Sequence, residues 1–226
     1  MKFKKVVDLS HQLIPGMEEF QLDLSRKNMV EEHPEYKTDK DVWYIISEIC
    51  MSSHTGTHIE MPFHHNKDGW DCATFPMERL IKRGLVLDFS HKKTDEEITL
   101  DEIKVHEERI HEGDNVIFNF GTAANYRTEK MHNRPYLSEE SVRWLADIKK
   151  VNLIGTDATG IEVRGEGGKN QPNHQYLMDR QIPLIESMTN LENLEDGFTL
   201  FVLPVAVQGL DSFPVRVIAV YFEDKQ

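Results

Sequence analysis

Cysteine is nearly absent from this chain. Cys50 and Cys72 are the only two in 226 residues. They are too few for a disulfide framework, which points to a reducing compartment, the cytoplasm. Long apolar runs are missing too. No window approaches ~18 consecutive apolar residues, so no transmembrane helix and no membrane partner are expected. The start, Met1-Lys2-Phe3-Lys4-Lys5-Val6-Val7-Asp8, has basic residues without the apolar stretch of a secretory signal. Positive charge is in deficit: 26 Lys and Arg stand against 39 Asp and Glu, a formal net charge of −13. Phosphate binding needs a basic face, so nucleic acid is excluded as the main partner while a small molecule is not. No Ser/Gly-rich linker, low-complexity tract or repeat divides the chain. Residues 1–226 therefore read as one domain, long enough to bury a core unaided.

Strand and helix signals alternate, which predicts an α/β fold. Residues 42–51, 85–89, 115–120, 151–154, 182–185, 199–205 and 215–222 read as strands from their β-branched and aromatic content. Pro76 opens a short helix over 77–81, which Gly84 would stop. Thr99 and Glu102 match a capping box, from which a helix would run to about Ile110. Ser138 would cap a helix to Ile148, and a short helix is expected near 190–194. Residues 12–37 show few periodic signals and read as an arm reaching a neighbouring subunit.

Histidine is plentiful, and four of the 11 fall in His54-Thr55-Gly56-Thr57-His58-Ile59-Glu60-Met61-Pro62-Phe63-His64-His65. His54, His58, Glu60 and His64 all occupy even positions, so an extended chain puts them on one face. Thr55, Gly56, Thr57 and Ile59 are poor helix formers, and Pro62 would break a helix. A straight strand fails as well. It would hold the His54 and His58 Cα atoms about 13 Å apart at ~3.3 Å per residue, near the limit for two imidazoles meeting at ~2.1 Å from one ion. The chain must bend, and Gly56 is where positive φ carries no steric cost. Pro62 biases Met61 to extended geometry and sets the direction in which Phe63 and His64 leave. Imidazole nitrogens with a carboxylate oxygen suit zinc and are acceptable to manganese. His65 is out of phase and reads as a solvent-facing or supporting residue. Further on, His174 follows a loop entering a helix. Glu186 lies in an apolar run, where a buried acid needs a partner or a metal.

The pattern His-x-Gly-Thr-His-x-acid-x-Pro-x-His resembles the signature of the cyclase family of metal-dependent hydrolases, which includes bacterial kynurenine formamidase and isatin hydrolase. The resemblance extends over most of the chain. Asp8-Leu9-Ser10-His11 is similar to the family's opening strand and Gly155-Thr156-Asp157 to its mid-chain turn. His174 and Glu186 resemble its second ligand pair. Leu203-Pro204 and Pro214-Val215-Arg216-Val217-Ile218-Ala219 resemble its closing strands. The resemblance implies a swivelling β/β/α architecture with a barrel-like mixed sheet flanked by helices, as a homodimer or homotetramer. It implies one or two divalent ions, zinc first and manganese second. His54, His58 and Glu60 would hold one ion; Glu60, His174 and Glu186 would hold the other; His64 would be the acid/base. The family usually has Asp where this chain has Glu60, and the extra methylene leaves open a bridge between two ions or a single-metal site. The implied activity is that of a metal-dependent amidohydrolase using metal-activated water. N-formyl-L-kynurenine, giving L-kynurenine and formate, is the first substrate. The same chemistry would open another cyclic amide, imide or lactone, isatin-like in kind. A metal-binding protein without turnover is the reading from another class. Closed zinc sites favour cysteine, and Cys50 and Cys72 lack Cys-x2-Cys spacing.

Around such a site Phe20, Phe63, Trp70 and Tyr126 are aromatic candidates for a pocket wall. Arg127, Arg164 and Arg216 are candidates for a carboxylate anchor, since guanidinium binds carboxylate bidentately. Thr156 and Asp157 follow a strand and read equally as site residues or as a turn cap. Residues 165–170 are glycine-rich but lack the Gly-x4-Gly-Lys-Ser/Thr order, so they read as a mobile loop beside His174.

Overall fold

All but one of the apolar runs that read as strands assemble into one mixed sheet; residues 42–51 go to a separate two-stranded ribbon. The computed structural model describes residues 2–38 and 42–223. Its strands are β1 (Phe3–Asp8), β2 (Leu22–Asn28), β3 (Ile45–Met51), β4 (His58–Glu60), β5 (Ile81–Asp88), β6 (Glu97–Ile98), β7 (Asn115–Asn119), β8 (Tyr136–Leu137), β9 (Leu153–Thr156), β10 (Leu184–Glu186), β11 (Phe198–Val202), β12 (Ser212–Pro214) and β13 (Val217–Phe222). The α-helices are short: α1 (Met29–Glu32), α2 (Leu100–Lys104), α3 (Glu139–Arg143) and α4 (Pro172–Met178). As expected from Ser138, α3 is capped by that side chain, and the chain stays helical to Ile148 through a π turn.

Nine strands form the main sheet in the order β1-β13-β11-β5-β7-β9-β10-β4-β12. The central β5, β7, β9 and β10 are parallel. The pairs on either side are antiparallel. Parallel strands are covered on both faces and carry apolar side chains on both. Val116, Phe118 and Ile154 accordingly join Leu85, Leu87, Val142, Leu145 and Leu177 under the helices. Ile117, Leu153 and Ile185 point the other way, to Leu9, Ile59, Leu200 and Val217. The sheet curls into a half-barrel, the barrel-like mixed α/β architecture anticipated above. Among the described residues no helix is long and apolar enough to cross a membrane.

Two local expectations change. The helix expected over 77–81 is a single 3-10 turn, Met77–Arg79, because Ile81–Arg83 pair with β11. Gly84 lies inside β5, under the Phe198 ring, and stops nothing. The helix begun at Thr99 ends at Lys104, with a separate turn at Glu107–Arg109. Val105 faces solvent, so no apolar face carries the helix onward. Residues 12–37 contain β2, which pairs with β3 from end to end in a ribbon of their own.

The capping box itself forms. Thr99 N donates to Glu102 Oε2 at 2.9 Å and Glu102 N donates to Thr99 Oγ1 at 3.4 Å. Lys92, together with the Thr99 amide, holds the Glu102 carboxyl down to about 2, from an ordinary 4.5. A depressed acid stabilises the fold above its unfolded value, and that contribution is lost as pH falls through the folded value. Glu102→Gln should therefore flatten the acid limb of the stability curve between pH 4.5 and about 2, read by denaturant unfolding at several pH values.

Candidate active site

The His54–His65 segment bends at Gly56, whose φ is +66°. A side chain there would collide with Leu13 and crowd the Tyr126 hydroxyl. Beyond the bend, Thr57 Oγ1 donates to Ser187 O and accepts from His11 N at 2.9 Å, which pins the segment between the N-terminal chain and β10. Alternation along β4 then sends Ile59 into the apolar core and turns His58 and Glu60 to the opposite face. Register does the rest. Glu186 of β10 lies opposite His58, and Ser212 of β12 lies opposite Glu60. Directly opposed residues are neighbours on one face, and Glu186 Oε2 is 3.9 Å from His58 Nε2.

The structure brings all six candidate residues together. His54 Nδ1 is 3.0 Å from Glu60 Oε1 and 3.3 Å from His58 Nε2. His58 Nε2 and His64 Nε2 lie 3.6 and 3.8 Å from the same Glu60 oxygen. His174, on α4, aims Nε2 at Glu60 Oε2 and Glu186 Oε1, 3.3 Å from each. Glu60 thus presents one oxygen to the His54 side and the other to His174. Two sets of ligand atoms fall within the reach of one ion, all within 4.8 Å of one another: His54, Glu60 and His64, and His58, Glu60 and Glu186. Glu60 belongs to both. This grouping puts His64 at ligand distance as well, although the sequence assigned it to proton transfer.

The residues fit a divalent ion. Glu60 is buried, and its Oε2 has no hydrogen-bond partner despite the nearby His174 ring. A buried carboxylate oxygen in that state calls for positive charge, which a metal ion would supply in place of a charged His174 ring. Imidazoles and carboxylates are the matching donor set.

Two supporting acids carry no local signal in the sequence. Asp211, just before β12, accepts with Oδ2 from His54 Nε2 at 2.9 Å and from His64 Nδ1 at 3.0 Å. Glu162 Oε1 accepts from the His174 backbone N at 2.8 Å and from its Nδ1 at 2.9 Å. Such acceptors fix a ring's orientation and decide which nitrogen faces the site. The charges are strongly linked. Burial pulls the His54 pKa down, but Glu60 and Asp211 outweigh it and raise it to about 9. Burial also opposes charge on His174, yet Glu162, Glu186 and Glu60 leave it well above its ordinary value. Burial would raise Glu60, and His174, His54 and His58 instead hold it well below the usual carboxylate range. His65 supports the cluster: its ring centroid is 4.7 Å from that of His64 and 5.6 Å from that of His174.

The cluster opens into a cavity of about 520 Å³. Phe20 and Tyr126 are in its wall, whereas Phe63 and Trp70 are not; Trp70 packs edge-on against Phe75. The candidate anchors are already engaged. Arg164 reaches the wall, but Asp95 holds its fork at 2.6 Å on both arms. Arg127 donates to Gln12 O, and Arg216 pairs with Asp8 in solvent. Arg134, which nothing in the sequence singled out, does line the cavity. Asp157 is a turn cap, accepting from the amides of Phe120, Thr122 and Ala123. Gly165–Gly168 forms a 3-10 turn at the cavity wall, leading into α4.

Zinc or manganese added to chelated protein should raise its melting temperature. Linkage gives about 2.7 kcal/mol at one hundred times Kd. Glu60→Gln removes the carboxylate common to both sets and should abolish the shift, as measured by thermal unfolding with and without chelator.

Comparison with known proteins shows the family and the fold. The Cyclase family model, described as "Putative cyclase", matches residues 7–163. A kynurenine formamidase from Bacillus cytotoxicus is 28% identical over 176 residues, covering 76% of this chain and 78% of that protein. Isatin hydrolase A from Labrenzia aggregata shares the fold, with a TM-score of 0.82 over 97% of this chain and 94% of that one, at 22% identity. A solved structure described as a potential metal-dependent hydrolase with cyclase activity is 29% identical, with a TM-score of 0.75 over 97% and 99% of the two chains. The family match takes in the Asp8–His11 segment, the whole His54–His65 segment and β9, well over half of the sequence, and the chain belongs to the Cyclase family.

Proposed function

We propose that the chain is a metal-dependent amidohydrolase whose first substrate is N-formyl-L-kynurenine, cleaved to L-kynurenine and formate. One observation carries this reading: buried Glu60 is shared by two ion-sized ligand sets that open into one cavity. The relatives named kynurenine formamidase support the choice of substrate. The family resemblance divides these ligands as His54, His58 and Glu60 for one ion and Glu60, His174 and Glu186 for a second, with zinc preferred over manganese; the ion-sized sets instead group His54 with His64 and His58 with Glu186, around the same Glu60. An ion held there supplies Lewis acidity to water and to the amide carbonyl.

The chain's own groups do the remaining work. Asp211 Oδ2 accepts from His64 Nδ1, which leaves Nε2 to deliver a proton to the departing anilide nitrogen. Phe20 and Tyr126 offer an aromatic substrate a wall. Tyr126 is held firmly for this, its hydroxyl donating to buried Glu18 and its ring stacked on His11 at 4.0 Å. The isatin hydrolase fold favours a second reading, the opening of a cyclic amide, imide or lactone by the same chemistry.

Assembly is proposed as a homodimer or homotetramer, built through the β2–β3 ribbon. A two-stranded ribbon is marginal on its own. This one and the chain entering it expose Trp43 at 80% and Ile49 at 63%, with Leu24, Tyr44 and Ile46 also in solvent. Leu24 and Ile49 are opposed in register and share one face; apolar exposure of that kind marks an interface, and a second copy presents the same ribbon.

Protein loaded with zinc or manganese should form kynurenine from N-formyl-L-kynurenine, lose the activity on chelation and regain it with metal. His64→Ala should lower kcat by about 10²-fold or more with bound metal unchanged. Loss of metal in that variant would instead make His64 a ligand. A filled site that opens isatin or a lactone but spares the formamide would move the assignment to the second reading. Light scattering should give two or four chains per particle, and Ile49→Lys should shift the particle towards the monomer. A wild-type monomer at micromolar concentration would exclude the ribbon interface.

A further inference from the structure

Arg134 is a cation without a counter-ion in the cavity wall. Its Nη1 donates to His132 O at 3.2 Å. Its Nε is buried without a hydrogen-bond partner, and no ion pair reaches the guanidinium among the described residues. The acids around it are committed elsewhere: Glu162 to His174, Glu186 to His174 and His58, and Asp95 to Arg164. Arginine stays charged in proteins even when burial works against it, and a half-buried charge whose Nε has no partner is costly. The surroundings preserve room for the fork. Gly160 faces it with φ +132°, and a Cβ there would lie 2.7 Å from Nη2.

We propose that Arg134 is the specificity-determining anchor for a carboxylate on the substrate. A guanidinium offers parallel N–H donors to a carboxylate, and the Arg134 fork has donors to spare. The same wall carries the acids Glu19, Glu60, Glu162 and Glu186, its histidines face those acids, and its other guanidinium, Arg164, is held by Asp95, so a free anion finds its complement at Arg134 or at a bound ion. The inference rests on the amidohydrolase reading and narrows it. The substrate is an acidic amide, an acylated amino acid or acylated aromatic acid, in preference to a neutral anilide.

Binding tests the anchor without requiring turnover. The probes are 2-aminobenzoate and its neutral counterpart 2-aminobenzamide, titrated by fluorescence into metal-loaded wild type, Arg134→Met and Arg134→Lys. Arg134→Met should weaken the carboxylate by about 10-fold or more, the worth of charge-assisted hydrogen bonds, and leave the amide within about threefold. Arg134→Lys should restore part of the difference. Parallel weakening of both probes, or no change in either, would overturn the proposal. With turnover, Arg134→Met should raise KM for 2-formamidobenzoate and leave formanilide unaffected. If neither formamide is cleaved by wild type while the carboxylate preference still depends on Arg134, the anchor stands and the hydrolase reading falls.

Discussion

Glu60 is a carboxylate buried among imidazoles, and the site depends on keeping it there. One oxygen meets the His54 side and the other meets His174. An acid in that position is tolerated only with opposite charge on both flanks. Three constraints follow from it. β4 must lie inside the sheet, between β10 and β12. His174 must arrive on a helix from across the cavity. A cation must be available to the oxygen that no hydrogen bond satisfies.

The fold meets these demands with backbone geometry as much as with side chains. Left-handed residues stand at three entries to the cluster: Gly56 between His54 and His58, Gln171 at the start of α4, and Ser187 directly after Glu186. For glycine this conformation carries no steric cost. For Gln171 and Ser187 it costs roughly 1 kcal/mol each. Packing compensates. Ser187 N donates to Ala158 O at 2.8 Å, and its carbonyl takes the Thr57 hydroxyl. The turn that ends β10 is thereby tied to the strand that bears His58 and Glu60.

Charge is distributed with similar economy. Asp211 orients two histidines with a single oxygen, and Glu162 fixes both the backbone and the ring of His174. Each histidine nitrogen that faces the centre therefore has a carboxylate behind its ring partner or a carbonyl, as in the His58 Nδ1 contact with Gly56 O at 2.8 Å. A net charge of −13 is no obstacle to an acidic ligand, because recognition inside a cavity is decided by the few groups in its wall, and Arg134 is the one left unpaired.

The chain's local chemistry determined a good part of this protein. The two-residue period of a strand put His58 and Glu60 on one face, and Gly56 was the only place the segment could turn towards His54. The capping residues Thr99 and Ser138 started their helices as written, since a cap is a contact over three residues. Tertiary structure decided what local patterns cannot encode. β2 shows little apolar alternation and exists only against β3. Asp211 reaches His54 across 157 residues of sequence, through the register of β12 on β4. Glu162 and Arg134 acquire their meaning from a cavity wall assembled from distant loops. The physical reason is the same in each case: periodicity and capping act within a few residues, whereas the partner of a buried charge is whichever group the sheet brings opposite it.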